Sequence, residues 1–186
     1  MSASFILPDL ETIHELQSIS FFDGTIQQTD RSMLHVSCGH ESYFSNHQLA
    51  KSCLESGIDV NHGDIYGLTP LHYASFHGLL EHVALLVEDY GADMNIPSKN
   101  GWTAFHLACW QGHAEIVRLL LGHGANLHIK TTKESWTPLT IASERKHTKI
   151  VWLLLRHRPS LAFVFVTNRL RSLVLQHAGN HKALVW

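Results

Sequence analysis

GLTPLHYASFHG (67–78), GWTAFHLACWQG (101–112) and SWTPLTIASERK (135–146) are one pattern written three times, each copy starting 34 residues after the last. A second marker follows each helix pair: GIDVN from Gly57, GADMN from Gly91 and GANLH from Gly124. Self-similarity at such a period signals stacked supersecondary units rather than one closed core.

Each unit reads as two short antiparallel helices. Thr69, Thr103 and Thr137 stand where an N-cap hydroxyl accepts from an orphan amide. Pro70 and Pro138 follow at the first helical position, where a missing N–H costs nothing. Leu71, Ala74 and Ser75 share one helix face, as do Phe105, Ala108 and Cys109, and then Leu139, Ala142 and Ser143. One large residue followed by two small ones lets neighbouring helices approach closely. A second helix follows, for example HAEIVRLLL (113–121), and ends at Gly122 and Gly124. Neither helix buries its stripe alone, so like units must stack.

TPLH with the alanine after it, GHAEIVRLLLGHGAN (112–126) and the period together resemble the ankyrin repeat family. That family's period is about 33 residues. The two extra residues here fall in VEDYGAD and KTTKESW. The resemblance is strong over 64–158 and implies an all-α ankyrin-repeat solenoid with three clear repeats (64–97, 98–131, 132–158). Upstream, SMLHVSCGHE and LAKSCLESGIDVN look like a degenerate N-terminal repeat over 31–63, completing a repeat domain over 31–158. Residues 1–30 form an acidic segment in which Leu10, Ile13, Leu16 and Ile19 suggest a capping helix. Residues 159–186 carry no repeat marker and read as a basic cap or tail, and AFVFV within them also reads as a strand.

Composition narrows the function. Net charge is −2 and 45% of residues are hydrophobic, with mean hydropathy −0.03, so no global field points to nucleic acid or membrane. Charge is nevertheless lopsided. Residues 1–30 hold five acids and no Lys or Arg, whereas residues 145–186 hold eight bases and no acid. There is no secretory pattern, and the longest apolar run of the tail, LAFVFV, is far below a membrane span. Cys38, Cys53 and Cys109 are odd in number and widely spaced, which fits free thiols in a reducing compartment, cytoplasmic or nuclear.

The 16 histidines raise metal binding and base catalysis. His35, Cys38 and His40 in HVSCGH make the best local metal candidate, but a site needs three or four ligands in fixed geometry. His72, His77 and His82, spaced by five, rotate around a helix and do not converge. No H-E-x-x-H, P-loop, G-x-S-x-G or G-x-G-x-x-G is present. The expectation is a non-enzymatic, monomeric module with no catalytic residue, metal or cofactor. The resemblance implies that His72 and His106 bond neighbouring backbones, with Thr140 in their place in the third repeat. It also implies that Asn61 and Asn95 are structural and are candidates for hydroxylation by an oxygen-dependent dioxygenase.

Trp110 lies about 140° from Phe105 around the helix, off the small-residue stripe. Phe76 and Glu144 hold the equivalent positions, and a place that accepts glutamate is expected at the surface. Trp102 aligns with Leu68 and Trp136, apolar in every copy. Ankyrin proteins bind partners through hairpin tips and the inner helix face, so the resemblance implies a partner surface built in three stretches. The first copy contributes Ile65, Tyr66, Leu68, Phe76 and His77, and the second Lys99, Asn100, Trp102, Trp110 and Gln111. The third contributes Lys133, Glu134, Trp136, Glu144 and Arg145. The expected partner is a protein, with no small-molecule substrate, nucleic acid or membrane. Two alternatives belong to other classes. PSLAFVFVTNRLRSLVL (159–175) resembles the start of a box that docks ubiquitin-ligase adaptors, which would make the chain a substrate receptor. The expected cysteine, the arginine after it and a later Leu-Pro pair are missing. A metal-dependent hydrolase using the histidines is the third class.

Overall fold

The structure is a computed structural model and describes residues 32–39, 47–133 and 135–157. Residues 1–30, His40, Glu134 and residues 159–186, on which several expectations fall, lie outside the described residues. Among the described residues every regular element is helical. The helices pair as α1 (Met33–Ser37) with α2 (His47–Glu55), and α3 (Pro70–His77) with α4 (Leu80–Ala84, running on as a π-helical turn over Leu85–Asp89). Next come α5 (Ala104–Gln111) with α6 (Ala114–Gly122), and α7 (Pro138–Glu144) with α8 (Thr148–His157). Odd-numbered helices stack as an inner row and even-numbered ones as an outer row, each pair touching the next.

The start of each inner helix is set by chemistry within four residues. Thr69, Thr103 and Thr137 are extended N-caps (φ −88°, −99° and −96°). The residue three places on closes a reciprocal box, with the Thr69 N–H donating to His72 Nδ1 at 3.0 Å and the Thr103 N–H to His106 Nδ1 at 3.2 Å. Ser32 and His35 repeat this at α1, where the Ser32 N–H donates to His35 Nδ1 at 3.1 Å. The three later inner helices, α3, α5 and α7, then stop on a left-handed residue. Gly78 and Gly112 (φ 79° and 88°) take that role, but the third unit uses Lys146 at φ 61°. Beyond each glycine a histidine ring of the next unit lies so close that a Cβ would meet it at 2.6 Å (His113) or 2.7 Å (His147). Only glycine combines that backbone with that clearance.

The small-residue stripe lies where the inner helices meet. Ala74, Ser75, Ala108, Cys109 and Ala142 are all fully buried. One of the two extra residues is absorbed by the π turn. Its Tyr90 N–H reaches Leu85 O at 3.3 Å, the five-residue step that defines such a turn.

The outward orientation expected for Phe76 and Trp110 is overturned. They are 3% and 6% exposed, and Leu68 and Trp102 are 0% and 1% exposed. A helical wheel measures direction from one helix, whereas α5 has α3 on one side, α7 on the other and α6 behind. Residues 104–110 are therefore buried all round the helix. The Trp110 ring meets Trp102 edge-on at 6.0 Å and 86°, and the Arg145 guanidinium lies 4.0 Å above it. Glu144 is exposed, and among the described residues α7 has an inner helix on one side only, so the Glu144 position lacks the second neighbour that helps bury Trp110.

A candidate protein-binding edge along the hairpin tips

The loops joining successive units are closed turns. The Asp64 N–H donates to Leu68 O at 3.0 Å, Ser98 to Trp102 at 2.7 Å, and Thr131 to Trp136 at 2.9 Å. The side chain at the same place braces each turn from inside. Asp64 Oδ1 accepts from Tyr66 N and Leu68 N, Ser98 Oγ from Trp102 N, and Thr131 Oγ1 from Trp136 N. Asp64 also accepts from the Tyr73 hydroxyl at 2.8 Å. The third turn has one more residue, and Ser135 takes the left-handed place (φ 55°) that Gly67 and Gly101 fill before it.

Adjacent tips are joined by main chain. Lys99 N donates to Tyr66 O at 2.9 Å and Thr132 N to Asn100 O at 3.1 Å. The tips thus form one continuous edge. It carries Ile65 (39% exposed), exposed Lys99 and Lys133, and half-buried Tyr66, Asn100 and Trp136. At the far end of the inner helices, His77 and Gln111 are half-buried while Glu144 and Arg145 are exposed. Of the expected surface residues, the structure brings the tip set together. Leu68, Phe76, Trp102 and Trp110 it places in the core.

The asparagines bridge units. Asn61 Oδ1 accepts from the Asp93 N–H and Asn95 Oδ1 from the Asn126 N–H, each at 2.9 Å. Their own N–H groups donate to Asp59 and Asp93. The inner-helix histidines do the same within the core. Nε2 of His35, His72 and His106 bonds Leu68 O, Trp102 O and Ile129 O at 3.0, 2.9 and 3.1 Å. Thr140 is too short to reach onward and donates to its own cap carbonyl, Thr137 O, at 2.7 Å. A further bridging set was missed in the sequence, namely His113 to Phe76 O (3.1 Å) and His147 to Trp110 O (3.0 Å). Their signal was the 34-residue spacing of the two histidines just after the inner helices.

Electrostatics follow burial. Desolvation lowers His72 and His106 to about 4 each, against the opposing pull of their carbonyl partners. Burial raises the Cys38 thiol to about 12 and pushes Cys53 and Cys109 up as well, so these sulfurs stay protonated and are poor nucleophiles. His35 spends both ring nitrogens on Ser32 and Leu68, which leaves HVSCGH without its first ligand. Among the described residues no group of three or more His, Cys, Asp or Glu could hold a metal ion. On the outer row the Glu115 carboxyl is held low, first by its hydrogen bond from Lys149 (3.0 Å) and then by Arg118 (3.1 Å).

A family model described as ankyrin repeats (3 copies) matches residues 1–98 and 90–162. No curated protein matches the chain.

Proposed function

Because the chain belongs to the ankyrin-repeat family, whose repeats are generally protein-interaction modules, we propose that it binds a protein segment along the hairpin-tip edge and catalyses nothing. The observation that carries this reading is the joined row of tips, with Ile65 and Tyr66 on the first, Lys99 on the second, and Lys133 and Trp136 on the third. Apolar side chains and cations along one edge suit a segment that presents carboxylates and at least one large apolar side chain. Burial of the inner-helix aromatics supports the tips over the inner face. The three free, buried thiols support a reducing compartment, cytoplasmic or nuclear.

The test is a triple variant of the full chain, Ile65→Asp with Lys99→Glu and Lys133→Glu. The parent captures its partner from a cell extract, and the pair is then titrated. The variant is expected to keep the parental melt and to lose at least about thirtyfold in affinity, the ~2 kcal/mol of an interface hot spot. A folded variant with parental affinity refutes the assignment.

A further inference from the structure

The two joints between hairpin tips are one joint made twice. Lys99 N reaches Tyr66 O, and Thr132 N reaches Asn100 O. A Cβ on Gly67 would meet Lys99 N at 3.2 Å, and one on Gly101 would meet Thr132 N at 2.7 Å. Each tip is therefore seated on the glycine of the tip before it, and the step from tip to tip repeats. Just after the residues that brace the turns (Asp64, Ser98 and Thr131) come Ile65, Lys99 and Thr132, all exposed. Lys130 and Lys133 flank Thr132 and are exposed as well. The acid among the described tip residues is Asp64, which is 5% exposed and spent on Tyr66 N, Leu68 N and the Tyr73 hydroxyl. Glu134 lies outside the described residues, and with it counted residues 130–135 still hold two lysines against one acid. Along the stack the edge thus runs apolar, cationic, cationic.

Resting on the tip-edge reading above, we propose that the occupant is a polyproline-II segment of a protein partner, with a large apolar side chain and carboxylates about three and six residues away from it. The apolar group meets Ile65 and Tyr66, the nearer carboxylate meets Lys99, and the farther one meets Lys130 and Lys133.

The step decides the conformation. The tips feed directly into the inner helices, and packed helices lie about 8–10 Å apart. A polyproline-II chain turns once in about three residues and rises about 3.1 Å per residue, so every third side chain returns to one face after about 9 Å. A β-strand returns side chains to one face after about 7 Å or about 13 Å, and both miss the step. Strand addition also needs main-chain donors, and those of Lys99 and Thr132 are spent on the joints. A helix repeats its face over two turns, about 11 Å, and a short segment is a marginal helix in water. Polyproline II is already a major conformer of unfolded chains, so a segment adopts it at little cost in order.

The probes are fluorescein-labelled synthetic peptides of one length and composition, each with one tryptophan and two glutamates on a proline and alanine background. Successive marked residues are spaced by three positions, or by two, four or seven, and each set is made in both chain orders. Binding to the full chain is read by fluorescence anisotropy. The three-residue spacing, in one of its orders, is expected to bind at least about tenfold tighter than every other spacing. Lys99→Glu, with a parental melt by circular dichroism, should erase that margin. A peptide with lysine in place of the nearer glutamate should restore it, and one changed at the farther glutamate should not. Another spacing that binds as tightly overturns the proposal, as does rescue by the farther change or a failure of every peptide to bind below about 1 mM. The captured partner separates this failure from that of the edge itself. If it still loses affinity for the triple variant, the edge stands and the three-residue occupant falls; if it does not, both fall.

Discussion

Acid should unlock the stack through His72 and His106. Each ring accepts at Nδ1 from its own cap N–H and faces a carbonyl of the next unit with Nε2, so the neutral Nε2–H form satisfies both ends. A second proton would sit against the cap's own N–H. Burial is the main cause of the low affinity for that proton. Asp64 opposes it at His72, and the charge of His72 adds to it at His106. Both folded values are depressed to about 4 from 6.5, so the unfolded chain binds more protons and stability is lost as pH falls through this window. At pH 5 the loss is about 2 kcal/mol per histidine, or roughly 4 kcal/mol for the pair. That is a large part of the ~5–15 kcal/mol that holds a typical domain. Urea unfolding followed by circular dichroism at pH 7.5 and pH 5 reads this as a midpoint drop of roughly 2 M. Staying at or above about pH 5 keeps most carboxylates ionised. His72→Gln with His106→Gln should lower the midpoint at pH 7.5 but flatten its pH dependence. Equal midpoints at the two pH values in the parent, or an unchanged slope in the double variant, would refute the linkage.

Trp110→Ala should lower the melting temperature by several degrees, because truncating a buried tryptophan costs about 3–5 kcal/mol; a parental melt would sink its placement between Trp102 and Arg145. Lys146→Gly should raise the urea midpoint by the equivalent of about 1 kcal/mol, since a non-glycine residue in the left-handed region is strained by roughly that amount. A lowered midpoint would show that the Lys146 side chain holds more than its backbone costs.

What was legible in the sequence was what a few adjacent residues decide. The caps at Thr69, Thr103 and Thr137, the glycine stops and the stripe of Ala108 and Cys109 all follow from backbone chemistry within one turn, and the 34-residue period multiplied the signal. The role of His72 and His106 was readable only through the resemblance, which implied rings bonded to a neighbouring backbone, as they are to Trp102 O and Ile129 O. The fate of Trp110 was not. It depends on α7 arriving from about 30 residues further on, and the comparison with Glu144 assumed that equivalent positions have equivalent neighbours, whereas among the described residues α5 has an inner helix on both sides and α7 on one. The same limit hid His113 and His147, whose partners are main-chain carbonyls with no side-chain signature. Leu68 and Trp102 misled in another way. Their place beside a hairpin tip suggested exposure, but the turn's closing bond carries their carbonyls and side chains inward.

The two surplus residues show how such an array absorbs errors of length. In the outer row, the bond that ends each unit runs from Ile58 N to Cys53 O, from Ala92 N to Leu86 O and from Ala125 N to Leu120 O. The middle one encloses one residue more than its fellows, and the π turn, closed from Tyr90 N to Leu85 O, overlaps it. At the tips, the Thr131–Trp136 turn likewise encloses one more than Asp64–Leu68 or Ser98–Trp102. Each insertion is thus fenced within a single hydrogen-bonded ring whose ends stay in place, and the units on either side never feel a frameshift. Where neighbours are registered by fixed points such as Asn61 on Asp93, and not by helix length, a lineage can gain or drop a residue between the points without renegotiating the rest of the molecule.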